Sequence, residues 1–281
     1  MNEQGGADHE PPTWFATPPG RYLLDWERAR FDAAVANLFG YHALQLGLPE
    51  LDTLRDNRMP HRWLALPEEM AAALAPARAV ALVTHAAALP FAANSLDLLV
   101  LPHTLEFSAD PHHVLREVER VLVPEGRVVI SGFNPLSLWG LRRWHARWAE
   151  RLGCGGEPAP RLLPESGDFI GPWRVRDWLR LLSFELESEA MGCWRPPARS
   201  EQWLQRCAWM DRVGAHAWPL FGAVYFLVAV KRVRGMHLLG PAWKPRRALV
   251  QPVAVAQRQP ISKFQSTPLK RRIWNRLPPS E

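Results

Sequence analysis

An imidazole titrates near neutral pH, so His103, in the run PHTLEF at 102–107, is a candidate general base. Packing at the edge of a ligand pocket is the competing role for it. Two carboxylates follow closely, Glu106 and Asp110. Asp110 directly precedes Pro111, and both acids suit a helix start better than a reaction. His112 and His113 then begin that helix, and no other His or Cys stands at metal-ligand spacing from them. The three cysteines, Cys154, Cys193 and Cys207, are odd in number and lack a C-x-x-C pair. That excludes a disulfide scaffold or zinc site and suits a reducing compartment. Further upstream, ALQLGLPELD at 43–52 ends a short apolar run in one glycine, Gly47. A glycine there would let a ligand lie against bare backbone.

The elements that must position these residues are written in the hydrophobic pattern. Leu24, Arg28, Phe31, Val35 and Leu38 recur at three- and four-residue steps, which predicts an amphipathic helix over 21–38. YHALQLG and HRWLAL read as short strands. Between them, LPELDTLRDNR is at most a brief helix, and PEEMAAALAPA is a helix with Pro67 near its start. RAVALVT and LDLLVLPH are continuous apolar runs, the signature of strands covered on both faces. SADPHHVLREVERVLVPEG is a helix with both ends marked. Val114, Leu115, Val118, Val121 and Leu122 form its apolar stripe. RVVISGF is the next strand, and this alternation predicts a parallel α/β sheet. A Trp/Arg-rich helix follows at about 137–152, then a Gly/Pro loop at about 153–172, then a helix running into a strand near 184–189. GAVYFLVAVKRV closes the folded part. No helix of parallel-crossover length is signalled cleanly between the last two strands, so one of them is expected to run antiparallel.

The chain has 281 residues and a formal net charge of +6, unevenly spread. From Lys231 to Glu281 there are twelve Lys and Arg and one acid, so the preceding 230 residues have an acidic excess. The tail at 233–281 is also rich in proline and is expected to be basic and largely disordered. It is a candidate for nucleic acid or an anionic surface. Residues 1–20 are expected to be loose. The start lacks an apolar segment of the secretory type, and the most apolar stretch, 217–230, is too short to span a bilayer. A cytoplasmic location is the expectation. Fourteen tryptophans are many for this length, and several stand beside arginines. Such pairs stack on bases or sit at membrane interfaces, or else cover a core edge.

Residues 88–135, ALPFAANSLDLLVLPHTLEFSADPHHVLREVERVLVPEGRVVISGFNP, resemble the second half of class I S-adenosylmethionine-dependent methyltransferases of the type 11 kind. The shared pieces are an L-P-F turn, an acidic-Pro helix start, an L-R-E-x-x-R-V-L helix and a P-x-G turn into a strand. FLVAVKR is similar to that family's final antiparallel strand, and SGFNPLSLWGLRR to the corresponding run of a proteobacterial subgroup. The resemblance spans about 39–231. It implies a Rossmann-like α/β fold over 21–232, with a mostly parallel sheet, helices on both faces and an antiparallel last strand. It also implies S-adenosylmethionine as cofactor and a small-molecule methyl acceptor. The cofactor-binding positions it points to are Gln45, Gly47, Glu68, His85, Ala86 and Pro102. Here Gln45 stands where the family has an acid on the first strand, Glu68 near the ribose-side acid, and His85 at the adenine side. The glycine motif is degenerate: Pro49 and Leu51 occupy the second and third glycine positions. The alternative is a methyltransferase fold that has changed or lost its ligand and acts as a binding module, with nucleic acid held by the tail.

Overall fold

The computed structural model describes residues 12–73, 80–151, 163–164 and 167–232. The chain divides into two units, Met1–Gly235 and Met236–Glu281. The second unit and the whole of the 233–281 tail lie outside the described residues, as do Cys154 and most of the loop at 153–172.

Seven strands form one sheet: β1 (His42–Leu46), β2 (His61–Leu66), β3 (Leu82–Val83), β4 (Leu96–Pro102), β5 (Leu122–Phe133), β6 (Phe184–Gly192) and β7 (Val224–Lys231). Their spatial order is β3-β2-β1-β4-β5-β7-β6. The pairs β1–β2, β1–β4, β2–β3 and β4–β5 are parallel. β7 runs antiparallel to both β5 and β6. This is a Rossmann-like, mostly parallel sheet flanked by helices, with the last strand reversed. The helices are α1 (Pro12–Phe15), α2 (Pro18–Val35), α3 (Glu68–Ala73), α4 (Pro111–Val121), α5 (Leu138–Arg151), α6 (Pro172–Leu181), α7 (Glu201–Arg206) and α8 (Trp209–Ala217). A 3-10 turn, Pro219–Phe221, leads into β7. Among the described residues no helix is long and apolar enough to cross a membrane.

Alternate side chains of the central strands enter two separate cores, as strands covered on both faces require. Leu44, Leu99, Leu101 and Ile130 pack with α4 and α6. Ala43, Leu98, Val100 and Val129 pack with α2 and with Trp14, Phe15 and Trp139. Helix α4 follows its sequence signals closely. Asp110 accepts from the His113 amide (3.0 Å), and Pro111 occupies the first turn. Val114, Leu115, Val118 and Val121 are fully buried, each contributing roughly 1.5–3 kcal/mol by transfer from water.

Four expectations are corrected. RAVALVT is not a doubly covered strand: among its described residues only Leu82–Val83 pairs, at the edge of the sheet beyond β2, with Val83 exposed. LPELDTLRDNR forms successive turns rather than a helix. Residues 12–20 are not loose; they form α1 and the first turn of α2, and Trp14 and Phe15 are buried. The expected α2 stripe holds at Leu24, Phe31 and Val35, but Arg28 is not part of it and Leu23 and Glu27 are. Leu23, Glu27, Phe31 and Val35 face inward, four residues apart. Arg28 faces solvent and pairs with Asp25 at 2.8 Å. A carboxylate on the apolar face of a helix demands a buried partner, and that partner lies in the site.

A candidate ligand cavity at the switch point of the sheet

Between β1 and β4 the strand order reverses, one crossover running to each side. Two strand ends therefore separate there with no loop crossing between them, which is where open α/β sheets take their ligands. A cavity of about 860 Å³ opens at this point, within the size range of small-molecule sites. Gly47, Pro102, His103 and Thr104 come to it from β1 and β4. Ala65, Pro67 and Met70 come from β2 and α3, and His85 and Ala86 from the turn after β3.

Gly47 has φ +78° and Leu48 φ +41°, so the chain turns sharply away from the sheet as it leaves β1. A Cβ built on Gly47 would stand 3.3 Å from Thr104 Oγ1, on the cavity side. Thr104 ties the two strand ends together by donating to the Leu46 carbonyl (2.6 Å). Leu51 is fully buried in the core beneath α2 and does not line the cavity. Pro49 is likewise absent from the lining. Thus neither side chain that replaces a motif glycine fills the hollow.

Gln45 explains how such a loop keeps its shape. Its side chain is buried and points along the loop rather than into the cavity. Its Nε2 donates toward the carbonyls of Gly47 (3.1 Å), Leu48 (2.9 Å) and Leu51 (2.7 Å). Its Oε1 accepts from the amide (3.1 Å) and hydroxyl (2.8 Å) of Thr53. A carboxylate has no donor, so at this place it would face three carbonyl oxygens. The amide is therefore the residue this loop needs, and Gln45 staples the loop. Gln45→Glu should lower unfolding stability at pH 7 by about 1–3 kcal/mol, read as a shift in the urea midpoint. An unchanged midpoint would refute the staple.

At the other end of the cavity His103 sits at φ +53°, a left-handed conformation unusual for a side-chain-bearing residue. Its ring is fully buried between two carboxylates. Nδ1 lies 2.8 Å from Glu106 Oε2, and Nε2 lies 3.0 Å from Glu27 Oε1, the latter at an angle too bent for a hydrogen bond. The Phe133 amide donates to the other Glu106 oxygen, and the Phe133 ring lies 4.3 Å from the imidazole. Burial alone would lower the pKa of His103, but the Glu27 and Glu106 carboxylates outweigh it and push it up to about 10. Burial raises the Glu106 carboxyl above its ordinary value, against the lowering effect of His103 and the Phe133 amide. The cluster thus holds a proton firmly through neutral pH. The Glu106 hydrogen bond at Nδ1 and the raised pKa weigh against His103 as a neutral-pH general base.

The structure brings together Gly47, His85, Ala86, Pro102 and His103 of the expected site residues. Gln45 faces the loop core, and Glu68, the exposed first residue of α3, is outside the lining. Glu27, Phe15, Glu106, Arg147 and Asp168 are site residues that the sequence reading missed or assigned elsewhere. For Glu27 a signal existed: its four-residue spacing with Leu23, Phe31 and Val35 put a charge on the buried stripe. Phe15 and Arg147 reach the cavity only through tertiary packing.

Comparison with known proteins agrees with this geometry. Residues 65–130 match the Methyltransf_11 family, described as a methyltransferase domain. The match covers under a quarter of the chain and, taken with the strand order, shows a fold of the class I, Methyltransf_11-like methyltransferase kind. Among individual proteins, the chain is 32% identical over 178 residues to the uncharacterized protein YafS of Escherichia coli strain K12. That alignment takes in 63% of this chain and 66% of YafS, just under two thirds of the relative's length. A S-adenosylmethionine-dependent methyltransferase from Archaeoglobus fulgidus superposes with TM-score 0.51 at 16% identity, over 74% of this chain and 94% of that one. A chain from the complex of the Haloferax volcanii Trm112 methyltransferase activator with a methyltransferase does so with TM-score 0.51 at 18% identity, over 80% and 96%. At such identities these two structures speak for the fold alone.

Proposed function

We propose that the protein binds S-adenosylmethionine in the switch-point cavity and transfers its methyl group to a small-molecule acceptor. The observation that carries this reading is the open cradle at Gly47. Backbone is bare on the cavity side of β1, and the loop beyond it is stapled outward by Gln45 and Leu51. The residues present suit the cofactor in three respects. The volume is adequate, and Leu46, Ala65, Met70 and Ala86 offer apolar wall to an adenine ring. The Glu106 carboxyl, held by His103, stands in the cavity wall as an acceptor for a ligand's ammonium group.

The cofactor, when bound, supplies a methyl carbon already activated by sulfonium. What remains for this chain is to orient the acceptor and exclude water. Gly47 and Pro102 form the floor on which the ligand rests, and Phe15 closes one side. His103 and Glu106 act as a fixed charge and hold the β4 end in place; they do not remove a proton. Acceptors that need no deprotonation by the protein, or that reach the exposed imidazole of His85, suit this lining best.

A second reading, ligand binding without transfer, is favoured by one observation: Gln45 and Glu68 turn away from the cavity, so two of the family's contacts are missing. Calorimetry with S-adenosylhomocysteine tests the first step. Saturable binding in the micromolar range is expected, and no heat at millimolar ligand would defeat the cofactor proposal. Saturable binding together with failure to consume S-adenosylmethionine against lipid, thiol, amine and carboxylate acceptors would favour the second reading.

A further inference from the structure

Helix α5 is built to face something other than the protein. It buries Trp139, Gly140 and Arg143, and Trp139 Nε1 donates to the Arg195 carbonyl (2.7 Å). The opposite side carries Leu138, Leu141, Trp144 and Trp148, spaced along one stripe at 100° per residue. All four are exposed, with Leu141 at 51%, Trp144 at 58% and Trp148 at 52%. The two indoles stack on each other, 6.2 Å between centroids. Leaving so much apolar area in water is costly, and a contiguous exposed patch of this kind marks an interaction surface.

A second group of exposed apolar side chains lies near the start of α5. The Asn134 side chain donates to the carbonyls of Leu220 (2.7 Å) and Gly222 (2.9 Å), so the start of α5 adjoins the 3-10 turn before β7. Leu136, Leu220 and Phe221 are exposed around this junction, and Trp218 just before it. The charges framing the face have one sign. Residues 136–148 contain no acid, and Arg142 is exposed beside the stripe, whereas Arg143 is buried beneath the helix and Arg147 pairs with Asp168. Between Trp203 and Phe221 the single acid, Asp211, is taken up by Tyr22 (2.5 Å) and Arg195 (2.8 Å), while Arg206 and Arg212 point outward.

We infer that this face docks on an anionic membrane surface. Indole and leucine side chains belong at the boundary of headgroups and acyl chains, and arginines flanking them belong among lipid phosphates. A nucleic acid would use the arginines and indoles but leave the leucines exposed; a membrane accepts all of them. The geometry links the face to the cavity, because Arg147 of α5 lines the cavity while the stripe lies on another side of the same helix. Resting on the proposed cofactor reading, this makes the acceptor an amphiphile drawn from that membrane.

Sedimentation of the full chain with phosphatidylcholine vesicles, with and without phosphatidylglycerol, tests the inference. The wild-type chain should partition onto the phosphatidylglycerol vesicles, and the double variant Leu141→Gln/Trp148→Gln should partition about tenfold or more weakly. That gap should persist in 0.5 M salt, where the purely electrostatic contribution of the basic tail is screened. Equal partition of the two proteins, or none by the wild type, would overturn it. So would a wild-type dimer that the substitutions turn into a monomer, since a second copy would then cover the face. S-adenosylhomocysteine affinity measured on both proteins keeps the readings apart. It should be the same in each, and its absence alongside intact vesicle binding would sink the cofactor proposal while leaving the membrane face standing.

Discussion

Gly47→Val should weaken S-adenosylhomocysteine binding by at least about a hundredfold, equivalent to roughly 2.7 kcal/mol, without unfolding the protein. Two effects act in the same direction. At φ +78° a β-branched residue is strained by about 1–3 kcal/mol, and relief requires the turn after β1 to rotate. A Cβ there already stands 3.3 Å from Thr104 Oγ1 and 4.0 Å from the Pro102 carbonyl. The two further methyl groups of valine must then project over the cavity floor or displace Thr104, whose hydroxyl joins β1 to β4. Isothermal titration measures the affinity, and circular dichroism with thermal melting confirms that the domain persists. Gly47→Ala keeps the strain but adds little bulk, and should fall between the two. If valine leaves the affinity unchanged, the ligand does not lie against this backbone.

His103→Ala should cost about 3–5 kcal/mol of stability. Removing the imidazolium leaves Glu27 and Glu106 buried near each other with no cation between them. For a domain of this size the melting temperature should fall by roughly 10 °C. Glu27→Leu should cost less, because it removes a buried charge while preserving the His103–Glu106 pair and adds apolar volume to the α2 stripe. The pH dependence has a definite sign. His103 is raised in the folded state, from 6.5 to about 10, so the folded protein binds this proton more tightly than the unfolded chain. Its contribution is fully present below about pH 6.5 and is lost as pH climbs toward 10. The raised Glu106 pKa favours the same protonated cluster. Wild-type melting temperatures should therefore decline between pH 6.5 and 10, and the decline should be much shallower in His103→Ala. Parallel curves for the two proteins would show that the cluster does not hold the proton.

These two predictions rest on residues of very different legibility. Gly47 is visible in the sequence because an apolar run that ends in glycine is a local signal. That the hollow beside it stays open is not visible, because Pro49 and Leu51 look obstructive until Leu51 is seen to pack under α2. The place of Gln45 in the motif points to a weakened cofactor contact, and its hydrogen bonds to Gly47, Leu48, Leu51 and Thr53 show that the amide serves the loop. Glu106 is also a local misreading. It does precede α4, but its side chain turns back to the Phe133 amide and His103 rather than capping the helix.

What the amino-acid order determined by itself is the part of the protein governed by short-range physics. Asp110 and Pro111 start α4, apolar periodicity orients it, and the Leu- and Val-rich runs of β4, β5 and β7 can be stable only as covered strands. The parallel order of the sheet follows from those elements, whereas the reversed last strand is reached through the long connection at 193–223 that holds α7 and α8. Tertiary structure decided the chemistry of the site. Glu27 and His103 are 76 positions apart, and the Glu27 carboxyl is buried where the fold delivers the His103 ring to it. Phe15 comes from a segment with no strong periodicity, and α5 acquires an outward apolar stripe only because its inner face is already satisfied by Trp139 and Arg143. A burial cost is settled by whichever partner the fold delivers, and that partner can lie anywhere along the chain.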